Sequence, residues 1–249
     1  EIPSSLVGSD MCIRDSYNTM SDNYVKSHEK PDKKYSMVPT ALKIIGDLKG
    51  KKVIDIGCGD GFFTIEFAKN AELVYGIDNS EEQIKKAQGN KLKNILYQLA
   101  DMNDFSYPKV DIIFSPFVLN YLEKVEQLES LFKKFYAALH KGGLFSGIID
   151  LPQSTVHDMA RFCSIKRLKK LEEGEKMDVE LYTGEEHIIT IHSFYHTKET
   201  IEGILGNIGF KEIICHKPFI SQEGLDAMGQ DFWHGYIDNC DLAYFSARK

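Results

Sequence analysis

The chain has 249 residues, 43% hydrophobic and 27% charged, with a formal net charge of −7, enough apolar material for one domain with an embellishment. The acidic balance, without a basic tract long enough to track a phosphate backbone, argues against nucleic acid as partner, and no apolar run approaches the ~20 residues of a membrane span. Cys12, Cys58, Cys163, Cys215 and Cys240 are scattered without paired or metal-ligand spacing, and no charged-then-apolar leader is visible, so a cytoplasmic protein with reduced thiols and no metal is expected.

Residues 1–16 lack helical or strand periodicity and resemble translated sequencing-adapter sequence, so they are set apart from a domain running over 17–249. Tyr17 to Lys34 is polar, with Tyr17 and Tyr24 seven apart. Pro39 suits the first turn of a helix whose apolar stripe is Leu42, Ile45 and Leu48, ended by Gly50. Val53, Ile54 and Ile56 form a short buried strand that breaks into Gly57, Gly59 and Gly61, and a helix over 62–70 follows. Alternating glycines let the backbone approach a ligand where a Cβ would collide, and the helix N-terminus faces the same space.

A second strand, Leu73 to Asp78, ends in an acid, and Ser80 with Gln83 forms a capping-box pattern for a helix over 81–89. A third, Ile95 to Asp101, ends in another acid followed by Met102. Asp55, Asp78 and Asp101 are thus spaced 23 residues apart at three successive strand tips. The fourth strand, Val110 to Phe117, precedes a helix over 122–140 with Leu128, Phe132 and Phe135 on one face, stopped by Gly142–Gly143. The fifth runs from Leu144 to Leu151. Residues 152–196 break the alternation and read as an insertion: a polar helix over 154–173, with Lys166–Lys170 as its solvated face, then a hairpin of 179–182 and 187–195. Thr197 caps a helix ending at Gly209, Phe210 to His216 is a sixth strand, and Cys240 to Arg248 a last, antiparallel one.

The run Asp55-Ile-Gly-Cys-Gly-Asp-Gly61 resembles the acidic-x-G-x-G-x-G motif of class I S-adenosylmethionine-dependent methyltransferases of small-molecule type. The dinucleotide fingerprint G-x-G-x-x-G would need glycine where Phe62 stands. The resemblance implies an α/β, doubly wound Rossmann-like seven-stranded sheet of order 3-2-1-4-5-7-6, last strand antiparallel, with 152–196 as a lid after strand 5. It implies S-adenosylmethionine as cofactor, held by Tyr24, Asp55, Gly57, Cys58, Gly59, Gly61, Asp78, Asn79, Asp101, Met102, Ser115 and Phe117. Ser115-Pro-Phe-Val118 lacks the tetrad that grips a flipped base. The expected acceptor is therefore a small apolar or aromatic metabolite under Phe194, Tyr195, Phe232, Trp233 and Tyr236. His192 and His196 are the candidate bases, since histidine titrates near neutrality. A nicotinamide-dependent oxidoreductase and a non-catalytic S-adenosylmethionine-binding module are the alternatives; the oligomeric state is not legible.

Overall fold

A computed structural model describes residues 30–90 and 92–249; the adapter-like segment and Tyr24 lie outside them. The main sheet has seven strands: β1 (Lys52–Ile56), β2 (Leu73–Asp78), β3 (Ile95–Leu99), β4 (Val110–Pro116), β5 (Leu139–Asp150), β10 (Lys211–His216) and β11 (Leu242–Arg248). Their order is β3-β2-β1-β4-β5-β11-β10, the predicted 3-2-1-4-5-7-6. Strands β1 to β5 pair in parallel, whereas β11 runs antiparallel to both neighbours.

Strand alternation divides the core. Ile54 and Ile56 of β1 point to the face covered by α4 (Val125–Ala138) and α5 (Lys198–Ile208), where Phe132, Phe135, Phe145, Leu205 and Phe245 are fully buried. Val53 points the other way, to α1 (Val38–Ile45) and α2 (Phe62–Ala68), against Phe63, Phe67 and Phe114. Removing a side chain of this size from water contributes ~1.5–3 kcal/mol, so both faces hold the sheet. The remaining helices, α3 (Glu81–Ala87) and α6 (Gln222–Met228), are short. Ahead of α1 the chain makes a π-helical turn, Lys33–Met37, a local irregularity frequent at functional sites.

Residues 152–196 depart from expectation. The helix predicted over 154–173 is instead β6 (Val156–Met159), a 3-10 turn (Ala160–Phe162) and β7 (Ser164–Leu168). They join β8 (Lys176–Thr183) and β9 (Glu186–Phe194), the predicted hairpin, in a sheet of order β6-β7-β8-β9, antiparallel throughout. The misreading treated Lys166 as solvated. It is 1% exposed, and with Leu168 it forms the inward period-2 face of β7. Two smaller corrections concern α4, which begins at Val125 after a 3-10 turn over Leu119–Tyr121 and ends at Ala138; β5 already runs through Gly142–Gly143.

Candidate functional site

The glycine loop joins β1 to α2 at the carboxyl edge of the parallel strands. Gly57 has φ +67, and a Cβ there would lie 2.3 Å from Val118 Cγ2; at Gly61 (φ +90) it would lie 2.3 Å from Tyr97 Oη. Both the positive φ and the close approach demand glycine. Behind the loop, Asp55 is fully buried and its Oδ2 accepts from Thr64 Oγ1 at 2.6 Å, tying β1 to α2. Burial pushes its carboxyl up to about 7. At the tip of β2, Asp78 Oδ2 accepts from the Gly59 N–H at 2.9 Å and Oδ1 from the Ser80 N–H at 2.8 Å. Burial raises its carboxyl and these N–H groups pull it back.

These elements enclose a cavity of about 140 Å³. Of the predicted cofactor residues, Gly57, Cys58, Gly59, Asp78, Asn79, Asp101, Met102 and Phe117 line it. Asp55, Gly61 and Ser115 do not: Asp55 lies behind the loop, Gly61 packs beneath Tyr97, and the buried Ser115 Oγ has no partner. The sequence reading missed Lys33, Asp60, Gln83, Tyr121 and Gln127, which line the cavity too. Gln83 had a signal that was misassigned. Its N–H does meet the Ser80 cap, but the residue also lines the cavity, and its Oε1 and Nε2 have no partner among the described residues although it is 1% exposed. A buried amide left in this state costs free energy unless a ligand completes it. A loop that turns through positive φ at Gly57, Gly59 and Gly61, with an orphaned amide beside it and an acid at the rim, fits an adenosyl ligand.

The two candidate bases are not brought to this cavity. His192 stands on the edge strand β9, its side chain 79% exposed, bonded to Asp178 Oδ1 at 2.7 Å. His196 is fully buried, Nδ1 bonded to Glu173 and Nε2 to the Leu122 carbonyl at 2.6 Å. Both of its ring nitrogens are occupied by protein partners. The predicted aromatic lid also lies elsewhere. Trp233 and Tyr236 pack with Phe162 and Phe232 in a separate cluster, Tyr195 joins the core of the second sheet, and Phe194 is likewise buried.

A second cavity, about 80 Å³, adjoins the first: Lys33, Phe117 and Tyr121 line both. Phe117 is held at φ +60, a conformation L side chains rarely adopt, beside its bond to the Ile148 carbonyl at 2.7 Å. Six charged and six apolar side chains line the second cavity. Lys166 Nζ bridges Asp150 Oδ1 (2.8 Å) and Asp241 Oδ2 (2.6 Å), all three nearly inaccessible to water. Burial lowers the Lys33 ammonium to about 7, with Asp60 opposing the shift, and its Nζ lies 4.6 Å from the Phe62 ring centroid. Among the described residues no group of three His, Cys, Asp or Glu side chains is placed to hold a metal, and no helix is long and apolar enough to cross a membrane.

Residues 47–202 match the model of a family described as "Methyltransferase domain". Among curated proteins, phosphoethanolamine N-methyltransferase 1 of Triticum aestivum is 34% identical over 131 residues, 50% of this chain and 25% of that protein. A ubiquinone biosynthesis O-methyltransferase of Coxiella burnetii is 34% identical over 113 residues, 42% of this chain and 47% of that one. The chain thus spans a quarter to about half the length of these relatives. Among solved structures, magnesium protoporphyrin IX methyltransferase of Synechocystis with bound S-adenosylmethionine aligns over 98% of this chain and 99% of its own, with TM-score 0.65 and 15% identity. An S-adenosylmethionine-dependent methyltransferase of Mesorhizobium loti aligns over 90% and 100%, with TM-score 0.62 and 19% identity. At such identities the likeness is one of fold.

Proposed function

Given that the chain belongs to this methyltransferase family, whose structural neighbours carry S-adenosylmethionine or its product, we propose that it transfers the cofactor's methyl group to a small polar metabolite bound in the second cavity. The observation that carries this reading is the wall shared by the two cavities, Lys33, Phe117 and Tyr121. Donor and acceptor would meet there. The rings invoked for an apolar or aromatic acceptor, Phe194, Tyr195, Phe232, Trp233 and Tyr236, line neither cavity.

Bound S-adenosylmethionine supplies a methyl group on a positively charged sulfur, which is intrinsically electrophilic. The chain's own contribution is then placement. Asp78 and Asp101 offer oxygens at the rim for ribose hydroxyls and an exocyclic amine, Gln83 offers an amide, and the loop N–H groups hold Asp78 in register. Phe117 and Tyr121 separate the reacting centre from bulk water. Alignment of this kind is worth up to ~7–11 kcal/mol of barrier.

The test has two arms. Titration calorimetry should show S-adenosylhomocysteine binding and no NAD binding; the reverse would return the protein to nicotinamide chemistry. Incubation of a fractionated metabolite extract with S-adenosylmethionine labelled with 13C at the methyl should yield a labelled small product. Cofactor binding without any labelled product would make the protein a binding module.

A further inference from the structure

The second cavity contains a group that the ion triad does not use. Asp32, immediately before the π-helical turn, is 7% exposed and lines the cavity, and its Oδ1 has no hydrogen-bond partner among the described residues. Its neighbour Lys30 donates one N–H to the Cys163 carbonyl at 2.8 Å. An ammonium has three donors, and no described residue takes the others. Lys166 is committed to Asp150 and Asp241, and Lys33 is drawn toward Asp60. Among the described residues the cavity therefore presents one unsatisfied acceptor and one cation with donors to spare, two positions apart in the chain. Buried polar atoms are ordinarily paired, and an orphaned carboxylate oxygen costs more than a neutral one.

Resting on the methyltransferase reading, we infer that Asp32 and Lys30 form the acceptor's polar clamp: Asp32 binds the acceptor's amine and takes its proton, and Lys30 binds an anionic group on the same small molecule. The acceptor is thus a zwitterionic amine.

Proton affinity selects nitrogen over oxygen. Burial raises the Asp32 carboxyl to about 6, with Asp241 adding to the rise and Lys30 and Lys33 opposing it. A free ammonium near 10.4 would hold its proton against such a group. The same surroundings bring the Lys33 ammonium to about 7, so an amine lodged there is within reach. An aliphatic hydroxyl, about as weak an acid as bulk water, is not. In the reaction an ammonium N–H passes its proton to Asp32 Oδ1. The freed nitrogen pair forms the new bond to the methyl carbon, and the pair of the broken carbon–sulfur bond stays on sulfur. The sulfonium becomes a neutral thioether, the amine becomes an N-methyl ammonium, and the proton on Asp32 returns to solvent as product leaves.

Calorimetry on protein saturated with S-adenosylhomocysteine tests this, with glycine, β-alanine, taurine and aminomethylphosphonate as probes and ethylamine and acetate as single-charge controls. At least one zwitterion should bind the wild type more tightly than either control, its affinity rising as pH passes through about 6 and Asp32 ionises. Asp32→Asn and Lys30→Gln should each weaken that zwitterion at least tenfold while leaving S-adenosylhomocysteine affinity intact, which also reports that both variants fold. Methyl transfer to the bound probe should give the N-methyl product. No zwitterion binding, binding indifferent to both substitutions, or controls that bind as well would overturn the inference with the donor reading still standing. Failure of the wild type to bind S-adenosylhomocysteine would instead overturn the methyltransferase reading and this inference with it.

Discussion

Replacing Lys166 by Met removes the only positive charge in direct contact with both Asp150 and Asp241 among the described residues. The ammonium lies 2.8 Å from Asp150 Oδ1 and 2.6 Å from Asp241 Oδ2, and also donates to the Asp241 carbonyl at 3.2 Å. Asp150 ends β5, Asp241 precedes β11 and Lys166 sits in β7, so the triad ties the second sheet to the first. Desolvation of three charges offsets much of the Coulomb gain, so the intact triad adds little net stability; breaking it leaves two buried carboxylates uncompensated, at a cost of ~3–5 kcal/mol. An unfolding entropy of ~2.1 cal/mol/K per residue over 249 residues converts this to a Tm lower by about 6–10 °C. The deficit should shrink in acid. Burial holds the Asp150 carboxyl above its ordinary range even with Lys166 present, so without Lys166 it takes up a proton more readily and the repulsion disappears. Thermal denaturation followed by circular dichroism at pH 7.5 and pH 5 measures both effects, and in an Asp150→Asn/Asp241→Asn background the same change should cost less than half as much. A Tm within 2 °C (~1 kcal/mol) of wild type at pH 7.5, or a deficit that grows in acid, would refute the account of the triad as a buried, charge-balanced tie.

Three further outcomes follow from the site. Gly57→Ala forces a Cβ to within 2.3 Å of Val118 Cγ2 at φ +67, so S-adenosylhomocysteine affinity should fall at least ~10-fold (~1.4 kcal/mol) by calorimetry; unchanged affinity would show that the cradle has no need of glycine there. Asp55, raised to about 7 from an ordinary 3.8, keeps its proton in the folded state over a range where the unfolded chain has lost it. Its contribution is therefore full below about pH 4 and is lost as pH rises to about 7, by up to ~4 kcal/mol. Asp55→Asn should accordingly fare better relative to wild type at pH 8 than at pH 4 in urea titrations, and the opposite order would reverse the assigned sign. His196→Gln breaks bonds to Leu122 and Glu173 in a fully buried setting and should cost ~1–3 kcal/mol without weakening S-adenosylhomocysteine binding, whereas the exposed His192→Ala should stay within ~0.5 kcal/mol. A fall in cofactor affinity with either would restore the histidines to the site.

The main-sheet strands and the glycine loop were legible in the chain because local signals govern them, whereas the order of the strands came from the family resemblance that the loop motif carries. Buried runs bounded by glycine and the stripe of Leu128, Phe132 and Phe135 each depend on residues a few positions apart. Gln83 shows in the sequence as part of a capping pattern, while its place in the cavity wall shows only in the fold. What remained hidden was long-range charge pairing. Lys166 reads as a solvated cation until β7 is placed against β5 and β11, where Asp150 and Asp241 meet it. His196 reads as a base until its two ring nitrogens are seen to be occupied. The aromatics near the chain's end look like a pocket lining until they are found packed on Phe162, and Asp32 carries no motif at all. Periodicity tells which face of an element is buried, but the burial of a charge depends on a partner that can lie 75 or more residues away, and only the tertiary structure supplies that partner. For the same reason the glycine loop of the first cavity was written in the sequence, while the charge pairing of the second cavity was decided by the fold.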